Sequence, residues 1–371
     1  MEKAKQTPEK RERVREWDVL RTAAFAGVVL QHLLGAWLRR AEIGRGGLYF
    51  CTVAFEPLRF AVPMFVFLFG CSLFYTHRDR PLRCGAYFKK RLLQLALPYA
   101  LWTVFYLYTA GTALTPRALA RSLLLGEGKY HLWYVVMILQ FVLLAPVLLA
   151  LRRRLRGHAA CAAAVLFAAW LLYLALTPQW SGGGLLGSVF VRRRTLVFAS
   201  WFGYFLLGAL CGIDRQRFTR WAVRLLPLTG TVYLASMLWA AYLGICEVSA
   251  FGRATLSSVS FLEPSYAVFT LCGILFWYAA ACRIAQRNGA ARVCAFVGRH
   301  SYEAYLAHVW VLTKCSLFLL ERWPSLRLTA FYVVLTVMTF AGTLLLAWAI
   351  DSAARGLRMC LRKTGGTKTA E

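Results

Sequence analysis

Ten runs of about twenty largely apolar residues follow one another along this chain, each long enough to cross a bilayer as a helix. They fall near residues 19–38, 55–75, 92–111, 131–151, 159–177, 195–213, 225–244, 265–282, 302–320 and 328–350. Hydrocarbon offers no partner to a backbone N–H or C=O, so apolar runs of this length must satisfy their own backbones as helices. The expected fold is therefore all-α, a polytopic membrane helical bundle of about ten transmembrane helices. The domains follow as a basic tail at 1–16, a membrane domain at 17–350 and a flexible tail at 351–371.

Charge supports the same reading. The net charge of +28 would point to nucleic acid in a soluble protein. Here the cations sit in short clusters between apolar runs, so the lipid bilayer is the expected partner and nucleic acid is not. The tails and alternate loops on one side of the ten runs hold 29 Lys and Arg, and the loops on the other side hold 12. The positive-inside rule then places both termini in the cytoplasm of a multi-pass cell-membrane protein. A basic cytoplasmic rim also attracts anionic headgroups and phosphorylated donors. Arg192, Arg193 and Arg194 go against this map. They mark a span that begins later than drawn, a missed span, or a site for an anionic ligand.

Ionisable residues inside a span are costly and read as functional by default. The first run, within the stretch WDVLRTAAFAGVVLQHLLGAWL, contains two, Arg21 and His32. Eleven residues make three helical turns plus about 20°, so both point along one face, about 16 Å apart along the axis. Asp18, Phe25 and Val28 lie near that stripe. Taken singly, Arg21 could snorkel to headgroups and His32 could bond a neighbouring helix. The pair on one face favours function.

Other polar positions are weaker. In the second run Glu56 and Arg59 are spaced to pair on a helix, and Pro63 is expected to kink it. Lys89, Lys90 and Arg91 precede the third run, either as topology determinants or as a clasp for phosphates. Tyr130, His131, Trp133 and Tyr134 open the fourth run in the manner of an interfacial aromatic belt. In the ninth, Ser301 is placed to cap the helix, and Tyr305 and His308 share a face. No His-Glu-x-x-His or carboxylate cluster is present, and no Cys-x-x-Cys, so no metal site is expected.

From about residue 15 to 350 the pattern resembles the integral-membrane acyltransferase 3 family, which includes bacterial O-acetyltransferases of surface polysaccharides. Arg21, ten residues, then His32 is its most characteristic motif. AVPMFVFLFGCSLFY is similar to the family's second segment, with Phe69 where Ser is usual before the Gly. FKKRLLQLALPY resembles a segment with two Arg three apart, of which only Arg91 is present, Gln94 replacing the second. HLWYVVMILQFVLLAPVL and FVGRHSYEAYLAHVWVL resemble two further segments. The resemblance implies the form that lacks an appended hydrolase-like domain.

It also implies transfer of an acyl group, acetyl first, from cytoplasmic acyl-CoA to a hydroxyl of a cell-surface glycan or related acceptor. Acetyl-CoA or another acyl-CoA would be a substrate, with no bound cofactor. His32 would act as general base or as the acylated nucleophile. Arg21 would engage donor phosphates or the oxyanion, with Arg91, Lys90 and Lys89 adding donor affinity. His131, His308, Tyr305 and Arg59 are candidates for acceptor or cavity contacts. The contrasting expectation is a transporter or flippase for a glycan or organic anion, which would use buried Arg and His as binding site and proton relay. The absence of an apparent half-to-half repeat counts against it. Oligomeric state is open.

Overall fold

A computed structural model describes residues 13–40, 43–79, 81–154, 158–179, 193–254, 256 and 260–365, with side chains to 356. The described residues contain helices and no strands. The first run is helix α1 (Arg15–Trp37). The second is a bent span in which α2 (Arg45–Phe55) and α3 (Ala61–Thr76) are joined by a 3-10 turn at Glu56–Leu58. Pro63 is therefore not the kink. It lies in the first turn of α3, where its missing N–H costs nothing, and the break precedes it. Buried Glu56 and Arg59 hold that break, Nη2 donating to Oε1 at 2.8 Å, and Arg59 also donates to the Leu256 carbonyl.

The third run combines α4 (Cys84–Arg91), a π-helical turn at Leu92–Ala96 and α5 (Leu97–Thr109). Pro98 cannot donate to the preceding turn, and a widened turn accommodates it. Next come the short α6 (Pro116–Leu125), then α7 (Trp133–Arg154) and α8 (Ala159–Leu176). The sixth run is shorter than expected. Its first part forms 3-10 turns, leaving α9 (Phe202–Ile213) inside an apolar helical stretch of Phe198–Ile213. Among the described residues nine helices are long and apolar enough to span, rather than ten. After α10 (Arg215–Arg224) come α11 (Leu226–Phe251), α12 (Pro264–Ile284), α13 (Asn288–Arg322) and α14 (Leu328–Gly365). Helix α13 runs through the expected cap, since Ser301 donates back to the Gly298 carbonyl in mid-helix. Helix α14 continues past residue 350 to Gly365.

Small residues let the short α9 lie against α3 backbone to backbone. A Cβ on Gly208 would stand 1.9 Å from the Phe67 carbonyl oxygen, and one on Gly70 2.4 Å from that of Phe205. Close approach of this kind is how helices gain packing in lipid, where the hydrophobic effect gives little. Phe67, Phe141, Trp201, Tyr204 and Phe205 are buried around this contact. Large apolar side chains at Val165, Leu172, Val333, Val337 and Leu345 are exposed, as a lipid-facing surface requires.

The basic loops converge on one end of the bundle. Arg15 donates to Asn288, Arg215 to Glu16, and Arg152 to the Arg78 carbonyl. These contacts join the segments that the cation count groups on one side. Helices α1 and α13 run in the same direction, because Asp18 lies beside Gly298 at the basic end and His32 stacks on His308 further along.

Candidate active site

Two groups of residues lie in series between α1, α7 and α13. Nearer the basic end is a cleft of about 190 Å³, lined by Arg21 from α1, Phe69 and Ser72 from α3, Arg91 from α4, Leu95 from the π-helical turn, Tyr134 from α7, and Ser301, Tyr302 and Tyr305 from α13. The Asp18 carboxylate accepts from Arg21 Nη1 at 3.0 Å and from Arg13 Nε at 2.5 Å. Asp18 thus fixes Arg21 while leaving the rest of its fork to the cleft. Gly298 makes room for this, since a Cβ there would stand 3.1 Å from Asp18 Oδ1. Arg91 lies over the rings of Tyr87 and Phe69, at 5.4 and 5.8 Å. Tyr302 donates to the Leu95 carbonyl at 2.7 Å, inside the π-helical turn.

Beyond the cleft lies a cluster of three histidines. His32 from α1 stacks on His308 from α13 with ring centroids 5.1 Å apart, and His131, just before α7, meets His308 edge-on at 4.9 Å. His32 is half-buried, while His131 and His308 are buried. His308 Nδ1 lies 2.5 Å from the Tyr305 carbonyl oxygen. A carbonyl only accepts, so Nδ1 carries the proton and Nε2 keeps its lone pair. That Nε2 is buried with no hydrogen-bond partner. It is a base with its acceptor position open. No group of three or more His, Cys, Asp or Glu among the described residues is placed to hold a metal ion.

Tyr305 separates the two groups. It lines the cleft, its hydroxyl donates to the His131 carbonyl, and its ring lies 5.4 Å from His131 and 5.6 Å from His308.

Six residues expected from sequence come together here: Arg21 and Arg91 at the cleft, Tyr305 at the partition, and His32, His131 and His308 beyond it. Lys89 and Lys90 do not join them. Both are exposed and neither lines the cleft. Arg59 is not at this site either; it is buried with Glu56 beneath Tyr266. Of the arginine triplet, Arg193 pairs with Glu127 at 2.8 Å and Arg192 lies outside the described residues. Sequence reasoning did not single out Tyr302. The available signal was its place three residues before Tyr305, itself three before His308, which puts all three along one side of α13.

The model of one protein family, acyltransferase 3, described as an acyltransferase domain, matches residues 14–348. Searches of curated proteins and of solved structures returned no match.

Proposed function

We propose, on the premise that the chain belongs to the acyltransferase 3 family, that this membrane acyltransferase moves an acetyl or similar acyl group from acyl-CoA to a hydroxyl of a cell-surface glycan or related acceptor. The donor enters at the basic end, which the positive-inside rule makes cytoplasmic. The observation that carries the reading is the series arrangement of an arginine-lined cleft, Tyr305 and a histidine cluster.

The chemistry follows from the order of these groups. Arg21 and Arg91 supply charge-assisted hydrogen bonds to the donor's phosphates. The pantetheine arm then extends past Tyr305 and presents the thioester to the histidines. An alcohol is a poor nucleophile at neutral pH, so a neutral imidazole accepts its proton as the new O–C bond forms and the C–S bond breaks. The leaving thiolate takes up that proton, regenerating the base. His32 serves as that base, being the histidine of the cluster that is only half-buried and so open to an acceptor. His308 packs against it.

Purified protein incubated with radiolabelled acetyl-CoA and extracted surface glycans should incorporate label into the glycan. Label that stays on CoA, or is released only as acetate, would overturn the acceptor class.

The cleft also separates the cations beside it. Arg91→Gln should raise the KM for acyl-CoA about tenfold with kcat little changed, the expected loss for one charge-assisted contact. The double change Lys89→Gln with Lys90→Gln should alter KM less than about twofold, as solvated charges do. Steady-state kinetics in detergent check both. Equal effects would return the lysines to the donor site.

A further inference from the structure

We propose that the end of the bundle opposite the arginine cleft holds the acidic group of an anionic glycan acceptor, a carboxylate or a phosphate, between Arg39 and Lys129 beside the Tyr130 ring. The proposal rests on the acyl-transfer reading above and names the acceptor's chemical class.

The histidine cluster reaches the surface at Tyr130. This ring is 51% exposed and lies 5.0 Å from that of His32. Arg39 follows the last turn of α1 and folds back along it. Its Nη1 lies 3.7 Å from where a Cβ on Gly35 would stand, and its charge acts on both His32 and Tyr130. Lys129 approaches from the segment before α7, its Nζ 5.9 Å from the centre of the Tyr106 ring, which in turn lies 5.5 Å from His131.

Neither cation has a carboxylate within ion-pair distance among the described residues. Glu127, two residues from Lys129, is already taken: it accepts from Arg121 at 2.7 Å and from Arg193 at 2.8 Å. Burial opposes its charge, yet those two arginines hold its carboxyl below the usual range. Arg40 is also engaged, lying over the Phe331 ring at 5.0 Å. Among the described residues, two cations without acidic partners therefore lie near an exposed aromatic ring next to the reacting imidazole.

This arrangement suits one class of ligand. The Arg39 fork matches a carboxylate or phosphate, and Lys129 adds a second point charge. The Tyr130 ring offers a surface for the apolar face of a sugar, which sets a neighbouring hydroxyl toward His32. A neutral glycan makes the ring contact and leaves both cations unmatched. The two glycans then differ in affinity.

The test is direct binding with detergent-purified protein, using trigalacturonate and its carboxyl-reduced neutral counterpart as probes. The acidic probe should bind at least about tenfold more tightly, the minimum for one charge-assisted contact. Arg39→Gln with Lys129→Gln should erase that difference while leaving CoA binding unchanged on the same preparations. Equal affinity for the two probes, no binding of either, or a difference that survives the double change overturns the proposal. Displacement of trigalacturonate by micelles containing anionic phospholipid, with glycerol phosphate at matched phosphate concentration having no effect, would assign the cations to lipid headgroups, which also overturns it. Failure to bind CoA, by contrast, would count against the acyl-transfer reading and not against this site.

Discussion

His32→Gln protein, compared with wild type at matched membrane abundance, should transfer acyl groups between about a hundred and ten thousand times more slowly, the range for losing a general base. Glutamine keeps hydrogen-bonding capacity but takes up no proton at neutral pH. Insertion and folding should survive, because His32 is half-buried, its ring makes no hydrogen bond among the described residues, and glutamine puts another polar group in its place. The neighbouring histidines sharpen the experiment. His308 has its Nδ1 proton committed to the Tyr305 carbonyl and its Nε2 unpartnered, so it is the nearest substitute base. His308→Gln should cost less than His32→Gln, because His308 is fully buried, packed against Tyr305, His131 and His32, whereas His32 is only half-buried. Acetyl incorporation into glycan, measured side by side, decides the order. A wild-type rate for His32→Gln would remove it from the chemistry and move the base to His308.

Much of this site was legible because spans obey simple length rules. Ten apolar runs define the bundle, and Arg21 and His32 on one stripe identify the helix that links the cleft to the histidine cluster. The convergence of three histidines was legible only in part. Each carries a bland reading alone, and only the parallel course of α1 and α13, a tertiary fact, brings His32 to His308. The basic triplet at 89–91 could have been narrowed from geometry. Consecutive helical residues point about 100° apart, so at most one of three can face a given cleft, and that one is Arg91. The sixth run misled because hydropathy does not distinguish 3-10 turns from α-helix. Gly208 and Gly212 serve contact with α3, and Gly203 contact with Trp170 of α8, instead of length. Helix α13 misled for a related reason. Ser301 looked like a cap, yet the helix runs through it, and the missing Cβ of Gly298 is what admits the Asp18 carboxylate.

That carboxylate sets the second large effect, expected at Arg21. One guanidinium nitrogen is committed to Asp18, and Asp18 is itself held by Arg13. The remaining donors face the cleft that also contains Arg91. His32 lies eleven residues further along α1, a rise of about 16 Å. On the proposed reading, that distance from the base assigns Arg21 to the donor's phosphates and not to the oxyanion that forms at the thioester. Removing it should therefore weaken donor binding more than turnover. Arg21→Gln should raise the KM for acyl-CoA about a hundredfold, the upper range for losing charge-assisted hydrogen bonds to a phosphate. Arg21→Lys should recover part of this, to about tenfold, since an ammonium keeps the charge but not the planar fork. Asp18→Asn should move KM in the same direction by a smaller factor, because Arg21 stays charged but loses the partner that orients it. In all three variants kcat should stay within a few-fold of wild type. The two functions separate cleanly in initial-rate data. If kcat collapses in Arg21→Lys while KM for acyl-CoA is unchanged, Arg21 acts on the reacting carbonyl, and the donor must then lie a full three turns deeper in the bundle.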